Sequence, residues 1–223
     1  MTQAEPSSLT SADDTPDLPG DEHASGAAAP RKRPKPGERR VQILQTLASM
    51  LEQPGSERVT TAALAARLSV SEAALYRHFA SKAQMFEGLI EFIEQSVFSL
   101  VTQISQRDDA PATQAYKLVN MLMQFGEKNP GMTRVIAGDA LVFENERLQQ
   151  RMNQFFDKFE AALKQCLRAG VTENSATPTV DAQVTATTLT AFAMGRLQRF
   201  ARSGFKRVPT EHLDAALRRM LHI

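Results

Sequence analysis

Apolar residues recur at intervals of three and four along most of the chain, and no stretch of any length alternates between apolar and polar positions. The first spacing is that of one face of an α-helix, whereas alternation would indicate a half-buried strand. Pro54-Gly55, Asn129-Pro130-Gly131 and the segment 170–178 interrupt the pattern, because Pro and Gly end helices. The pattern therefore predicts an all-α protein.

The expected helices begin at capping residues or prolines. Their predicted ranges are 37–52, two short helices opened by Thr60 or Thr61 and by Ser71, then about 81–106, 111–128, a short helix to about 137, and about 143–169, 180–202 and 210–221. Ser81 and Gln84 form a capping box at the start of the fourth helix. In the first helix, the predicted core stripe is Val41, Leu44, Leu47, Ala48 and Leu51.

The stretch from Thr60 to Lys82 has the pattern of a helix-turn-helix. Its two helices are too short to stand alone, so they must cross steeply and share a small core, with Ala65 where the backbones approach. Ser69 stands at the turn, where a left-handed backbone costs serine about 1 kcal/mol relative to glycine. The second helix presents a face that suits a DNA major groove. That face consists of Ser71, Glu72, Ala73, Ala74, Tyr76, Arg77 and His78.

The run from Leu64-Ala65 through Val70-Ser71 to Tyr-x-His-Phe-x-x-Lys at 76–82 resembles the DNA-binding signature of the TetR family. The alternative is a buried helical hairpin without a partner. The resemblance implies a TetR-like all-α fold, with a three-helix helix-turn-helix domain over residues 37–82 and a larger helical dimerisation domain over 83–223. It also implies a homodimer that binds a palindromic site in double-stranded DNA, since symmetric helix-turn-helix proteins bind two half-sites.

Several cations and hydroxyls in this region are candidate DNA contacts. Arg39, Arg40 and Lys82 lie in first turns of helices, where the helix dipole disfavours cations, and a phosphate would explain them. We assign Thr61, Ser71, Tyr76, His78 and Lys82 to phosphates and Ala73, Ala74 and Arg77 to bases or the groove wall. For His78, the alternative is a half-buried packing residue. The full set is Arg39, Arg40, Thr60, Thr61, Val70, Ser71, Ala73, Ala74, Tyr76, Arg77, His78 and Lys82.

The chain has 223 residues, of which 42% are hydrophobic, enough for a sizeable core. The net charge of +1 conceals an asymmetry, because the residues before Arg31 include no Lys or Arg. Residues 1–36 lack aromatic residues and are expected to be a disordered tail, acidic and then basic. The basic end, 31–36, is either an arm that reaches phosphates or the minor groove, or a solvated run of charge.

The residue types of catalytic and metal sites do not form a pattern here. Cys166 is the single cysteine and lies on an apolar stripe, and the four histidines have no metal-ligand spacing. There is no Gly-rich phosphate loop or nucleophile elbow, so we expect a protein that is not an enzyme and needs no cofactor. We find no membrane-length apolar run and no signal peptide, and we expect a cytoplasmic protein without a membrane partner. The resemblance to DNA-binding regulators implies that it is also nucleoid-associated.

The helix predicted at 180–202 carries small residues along its sides, and small side chains allow close packing with another helix. In the TetR family the last two helices of the larger domain pair between subunits, and internal packing is the alternative. The predicted dimerisation residues are Ala182, Ala186, Leu189, Ala193 and Leu197.

The segments 126–156 and 199–210 extend the resemblance to a branch of the TetR family that acts in nucleoid occlusion. That resemblance implies binding to sites across the chromosome and disruption of polymers of FtsZ, the tubulin-like division protein. Phe92 and Met85 form an apolar pair off the predicted core face of their helix, which either a partner or the next helix of the same subunit would cover. Phe92, Lys128 and Asn129 are the predicted FtsZ-binding residues.

The competing hypothesis is a TetR-type transcriptional repressor that a small-molecule ligand releases from DNA. Its pocket would be apolar with a few polar groups, although stripes of Met and Phe at helical spacing are more often core. The candidate lining is Met121, Met123, Phe125, Met132, Phe155 and Phe159. A closed cavity would favour this hypothesis, and a filled core would favour a protein partner.

Overall fold

A computed structural model describes residues 37–53, 59–168 and 182–223. Helices and their connections make up all of these residues, so the all-α prediction is confirmed. The helices are α1 (Glu38–Leu51), α2 (Thr61–Arg67), α3 (Glu72–Tyr76), α4 (Lys82–Ser105), α5 (Pro111–Lys128), α6 (Pro130–Ile136), α7 (Glu146–Arg168), α8 (Ala182–Arg202) and α9 (Leu213–Leu221), with a short 3-10 helix at Asp139–Leu141. The expectations for 1–36, Pro54-Gly55 and 170–178 fall outside the described residues.

Hydroxyl caps start the helices around the helix-turn-helix. The side chains of Thr60 and Ser71 accept hydrogen bonds from the backbone N–H groups of Ala63 (3.2 Å) and Ala74 (3.3 Å). Ser81 accepts from the N–H of Gln84 at 3.2 Å. Each bond satisfies an N–H group that has no partner within its own helix. These bonds are local in sequence, and the sequence alone locates the starts of α2, α3 and α4 to within a residue.

The turn between α2 and α3 requires a left-handed residue. Ser69 has φ of 53°, as the turn position predicts. The N–H groups of Ser69 and Val70 donate to the carbonyls of Ala66 and Ala65, each at 3.0 Å, in the two-bond Schellman arrangement that closes a helix C-terminus. The turn keeps its shape because these bonds offset the strain of about 1 kcal/mol at serine.

The core stripe of α1 differs from the prediction at one position. Val41 is 48% exposed, whereas Ile43 is fully buried together with Leu47 and Leu51. Both Val41 and Ile43 fit a helical period. The choice between them depends on the directions from which α2, α4 and α6 approach α1, which a single helix does not encode.

Asn129-Pro130-Gly131 ends α5 as predicted, but Gly131 has a second role. Pro130 is the first residue of α6, and Gly131 is buried where α6 packs on α1. A Cβ atom added at Gly131 would lie 1.9 Å from the carbonyl oxygen of Ala48. This close approach attaches α1, the first helix of the DNA-binding region, to α6.

Two helices of the larger domain begin later than predicted. The side chain of Asn145 accepts a hydrogen bond from the N–H of Arg147 at 3.0 Å, so α7 starts at Glu146 rather than near Phe143. His212 has a left-handed backbone with φ of 53°, and α9 starts at Leu213 rather than at Thr210.

Aromatic residues fill the core of the larger domain, where α5, α7 and α8 pack together. The Phe155 ring meets those of Phe98 and Phe156 edge-on, with centroids 5.3 Å apart in both pairs. Cys166 is buried in the same core, with its sulfur 3.6 Å from the hydroxyl of Ser105, in agreement with its predicted packing role.

Helix α9 is attached to α5 by a hydrogen bond. The Tyr116 hydroxyl donates to an Asp214 carboxylate oxygen at 2.8 Å. This bond lowers the pKa of Asp214 and raises that of Tyr116, because it favours the carboxylate and the protonated phenol.

Candidate DNA interface and partner surfaces

The outer face of α3 has the exposure that a groove-reading helix needs. Leu75 and Phe79 are buried and hold the helix against its neighbours, as their spacing predicts. Ala74 is half-buried, and the remaining residues of this face are exposed: Ser71, Glu72, Ala73, Tyr76, Arg77 and His78. The exposure of His78 excludes the half-buried packing role for it. The side chains at the centre of the face are small, and those at its ends carry hydrogen-bonding groups, so a DNA groove can approach closely.

Arg40 braces the segment after α3 instead of extending freely into solvent. Its Nη1 donates to the carbonyl of His78 at 2.9 Å, and its guanidinium lies 4.1 Å from the centre of the Phe79 ring. Arg39 donates to the side chain of Gln42 at 2.7 Å. Arg40 therefore borders this edge of the face and positions the backbone of His78, and neither arginine forms an ion pair with a carboxylate among the described residues.

Three of the predicted hydroxyl contacts are already engaged within the protein. Thr61 donates to a carboxylate oxygen of Glu72 at 2.6 Å and so joins the starts of α2 and α3. Thr60 and Ser71 cap those two helices. Val70 is half-buried and packs against the core, so only part of its side chain is available to DNA.

Lys82 lies at the start of α4 and pairs with a distant carboxylate. Its ammonium forms an ion pair with Glu144, in the segment before α7, and lies 5.7 Å from the centre of the Phe86 ring. The cation in this first turn therefore has an explanation within the protein, in addition to the predicted phosphate. Glu144 is 62 residues from Lys82, and no local sequence signal indicates the pairing.

We predict that Arg77→Ala weakens binding to a cognate duplex about tenfold and binding to a scrambled duplex less. The reason is that Arg77 is exposed at the C-terminal end of α3 and pairs with no acid in the described part of the chain. A side chain that contacts base edges contributes about 1–3 kcal/mol of discrimination. Fluorescence anisotropy with both duplexes over a salt series measures the effect.

Arg219→Ala is the matched control, because Arg219 is an exposed arginine on α9, far along the chain from the recognition helix. It should leave both affinities unchanged. An equal loss on the two duplexes for Arg77→Ala would instead assign Arg77 to a phosphate.

The predicted FtsZ-binding residues lie on α4 and at the end of α5. Phe92 is 43% exposed and Lys128 is exposed. Met85, the other member of the apolar pair off the core stripe, is fully buried, so the alternative of internal cover holds for Met85 but not for Phe92. Asn129 uses its amide to donate to the Phe125 carbonyl at 2.8 Å. The other large apolar side chain exposed on α4 is Leu100, which is 37% exposed and lies about two helical turns from Phe92.

Phe92 and Lys128 lie at similar heights on neighbouring helices. Helices α4 and α5 pack together and are joined by the short connection 106–110, which makes them antiparallel. Counting back from this connection at 1.5 Å per residue, Phe92 is level with Gln124, and Lys128 is about 6 Å further along the axis. A single peptide therefore has the reach to contact both side chains.

The structure corrects the choice of residues for dimerisation. Ala186, Leu189, Ala193 and Leu197 are fully buried within the protomer, and Ala182 is half-buried. These small residues let α8 pack on α5 and α7, which was the internal-packing alternative. The exposed face of α8 is the opposite one. We call it the outer α8 face, and it comprises Val184, Thr188, Ala191, Met194 and Gly195.

The residues proposed to line a ligand pocket belong to the packed core. Met123, Phe155 and Phe159 are fully buried. The other three pack against the same cluster and are partly buried: Met121, Phe125 and Met132. Two clefts lined by described residues, of about 340 and 280 Å³, open to solvent and include none of these six residues. All six residues therefore lie in or against the core cluster, which is the usual role of such stripes.

The described residues offer little for other classes of site. In ranges 37–53, 59–168 and 182–223, no group of three or more His, Cys, Asp or Glu side chains is arranged to hold a metal ion. No helix in the described part of the chain has both the length and the apolar character to cross a bilayer.

Two family models match the chain. Residues 43–89 match the bacterial regulatory proteins of the tetR family, and residues 112–221 match the SlmA-like form of the tetracyclin repressor-like C-terminal domain. The first match spans α2 and α3 with the flanking parts of α1 and α4, and the second spans α5 to α9.

Solved structures share the fold at low sequence identity. The fatty acid degradation regulator FadR from Bacillus halodurans has a TM-score of 0.67 and 16% identity, over 83% of this chain and 95% of that chain. The TetR family regulator PfmR from Thermus thermophilus has a TM-score of 0.67 and 21% identity, over 81% and 97%. At such identities these similarities establish the fold alone.

Curated relatives are much closer in sequence. The nucleoid occlusion factor SlmA from Idiomarina loihiensis is 47% identical over 177 residues, which cover 79% of this chain and 90% of the relative. SlmA from Salmonella paratyphi B is 49% identical over 178 residues, with the same two coverages. The similarity includes both the DNA-binding region and the larger domain. The chain therefore belongs to the TetR family and, within it, to the family of the nucleoid occlusion factor SlmA.

Proposed function

We propose that this protein is a nucleoid occlusion factor, which binds palindromic chromosomal sites as a homodimer and, while bound, antagonises FtsZ polymer assembly over the nucleoid. The observation that carries the proposal is the identity of 47–49% to SlmA proteins over 79% of the chain. The exposed, small-centred face of α3 supports the DNA partner. In this proposal the protein is cytoplasmic and associated with the nucleoid.

The outer α8 face is the surface that we propose for dimerisation. Val184, Ala191 and Met194 are exposed apolar or small residues on this face. A Cβ atom added at Gly195 would meet no other atom within 4 Å, so the face is smooth and open at that point. A smooth apolar face allows a second helix to approach closely, and a twofold axis through it would present two recognition helices to two half-sites.

The FtsZ surface that we propose combines an apolar anchor with a cation. Phe92 supplies the apolar anchor on α4, and Lys128 has no ion-pair partner among the described residues. Asn129 holds the end of α5 and so positions Lys128 rather than contacting the partner through its amide. An exposed aromatic side chain and a cation at a similar height on the adjacent helix suit a short acidic peptide with an apolar residue, such as the C-terminal segment of FtsZ.

We predict that Phe92→Ala or Lys128→Glu abolishes the disruption of FtsZ polymers while fold and DNA affinity remain intact. Removing a central anchor or reversing the adjacent charge typically costs at least about 2 kcal/mol of binding. Light scattering by FtsZ polymers in the presence of DNA-bound protein measures the effect. Gln103→Ala, at an exposed polar position further along α4, is the control. A variant that loses DNA binding in parallel, or retains full activity on polymers, would show that the surface is misplaced.

Genome-wide mapping of bound sites tests the function as a whole. A nucleoid occlusion factor is expected to occupy many dispersed sites that are absent from the region around the replication terminus. Occupancy of a few promoters, combined with release from DNA by a small molecule, would contradict the proposal and favour the ligand-controlled repressor.

A further inference from the structure

Three ion pairs join α4 to α7 and the segment before it. They are Lys82 with Glu144, Glu87 with Arg147, and Glu94 with Arg151. The third pair has an Arg151 Nη2 to Glu94 Oε2 distance of 2.7 Å, and this bond raises the pKa of Arg151. The second and third pairs lie along α4 within the larger domain. The first pair differs, because Lys82 is the residue that ends the DNA-binding signature.

The pair of Lys82 with Glu144 is shielded from solvent. The Glu144 side chain is 10% exposed and that of Lys82 is 27% exposed. Salt screens such a pair weakly, and a carboxylate left alone at this depth is unfavourable. Glu144 pairs with no second cation in the described part of the chain. Whatever removes Lys82 therefore leaves Glu144 uncompensated.

Lys82 is also within reach of the DNA face. It follows the exposed His78 by four residues, across the short connection between α3 and α4, and comes directly after Ser81, the cap of α4. A cation at this position opposes the dipole of its own helix, so it requires a nearby anion. Glu144 supplies that anion in the DNA-free protein, and a backbone phosphate would supply it in a complex.

We propose that Glu144 competes with a DNA phosphate for Lys82, so that this carboxylate lowers the affinity of the protein for DNA. The inference rests on the proposed DNA-binding function and assigns Glu144 as a residue that acts through Lys82. When a DNA phosphate binds the Lys82 ammonium group, the ion pair with Glu144 must break. The free energy needed to break it offsets part of the favourable free energy of DNA binding.

The competition couples DNA binding to the segment that carries Glu144. Val142 and Phe143, directly before it, are 58% and 68% exposed. Coupling is reciprocal, so anything that displaces this segment and frees Lys82 strengthens DNA binding, and bound DNA loosens the segment by the same factor.

A double-mutant cycle tests the proposal by fluorescence anisotropy with a cognate duplex. Glu144→Gln removes the competing charge and is expected to tighten binding about fivefold, roughly the effect of one phosphate contact. Lys82→Ala is expected to weaken binding by less than about twofold in the wild-type background, because the lost phosphate contact is offset by the pair that no longer has to break. In the Glu144→Gln background the same change should weaken binding about fivefold and reduce the salt slope by about one.

Glu87→Gln is the matched control. It removes a carboxylate from another of the three ion pairs, and the partner of Glu87 is Arg147 in the larger domain rather than Lys82. It should change the affinity by less than about twofold. The proposal is overturned if Glu144→Gln binds no more tightly than Glu87→Gln, or if its tightening persists with alanine at position 82. Should Glu144→Gln fail to fold, Glu144→Asp replaces it, because the shorter side chain withdraws the carboxylate from Lys82 by one methylene. Glu144→Asp should then tighten DNA binding, and an unchanged affinity for DNA would overturn the proposal. Wild-type protein that does not distinguish cognate from scrambled DNA would refute the proposed function instead.

Discussion

Gly131→Ala is expected to destabilise the protein by about 3 kcal/mol or more, although it adds a single methyl group. The added Cβ atom would lie 1.9 Å from the carbonyl oxygen of Ala48, which is backbone and has no rotamer to change. Helices α1 and α6 must then separate, and overpacking that moves backbone is at the costly end of such substitutions. Urea unfolding followed by circular dichroism measures the loss as a lower midpoint.

Gly126→Ala is the matched control for this prediction. Its added Cβ would lie 2.4 Å from a terminal methyl carbon of Leu197, which is the flexible end of a side chain. We expect a smaller loss of about 1 kcal/mol, since a leucine rotamer can change where a carbonyl cannot. Equal stability of the Gly131→Ala variant and the wild type would mean that α1 and α6 are not in contact.

The Gly131 substitution should also impair DNA binding more than its effect on stability explains. Helix α1 holds α3 through Arg40, whose guanidinium bonds to the His78 carbonyl. A shift of α1 relative to α6 therefore moves the recognition helix relative to the larger domain. In a dimer, this movement would change the spacing of the two recognition helices. The DNA affinity of the folded variant, measured well below its unfolding midpoint, isolates this effect.

Ala191→Glu is expected to dissociate the dimer and to lower the affinity for a palindromic site at least about 100-fold, with the fold retained. The substitution places two like charges near a twofold axis on the outer α8 face, where burial without a partner is strongly unfavourable. A monomer keeps one recognition helix and loses the contacts of the second half-site. Sedimentation velocity and anisotropy should show both losses together.

Two alanine positions serve as controls for the dimer prediction. Ala161 is exposed on α7, and Ala161→Glu should leave both the dimer and DNA binding intact. Ala193 is fully buried within the protomer, and Ala193→Glu should unfold the protein rather than dissociate it. An intact dimer in the Ala191→Glu variant would exclude the outer α8 face as the interface.

The elements of this protein could be predicted from the sequence because their signals are local. Thr60, Ser71 and Ser81 each cap a helix through a backbone N–H three residues away. Ser69 adopts the left-handed conformation that the turn between two short helices requires. The 3.6-residue period identified the helices. It therefore also identified the outward face of α3, because Leu75 and Phe79 determine which side is buried.

The tertiary structure decided the questions that depend on distant residues. The small residues of α8 lie on both of its sides, and only packing on α5 and α7 shows that Ala186 and Ala193 face inward. Met85 fits both an exposed and a buried position until neighbouring helices are in place. Likewise, nothing near Lys82 in the sequence indicates Glu144, which is 62 residues away.

Sequence alone thus determined the helices, their caps and the face of the recognition helix, each of which rests on spacings of three or four residues. The family rests instead on the residue types of the signature at 64–82 and on the identity to relatives. The tertiary structure determined which side of α8 is free for a second subunit, why position 131 has no room for a side chain, and where the charge of Lys82 is neutralised. The physical reason is the same in each case. A helical period specifies that a helix has an apolar face, but the atoms that meet this face come from remote parts of the chain.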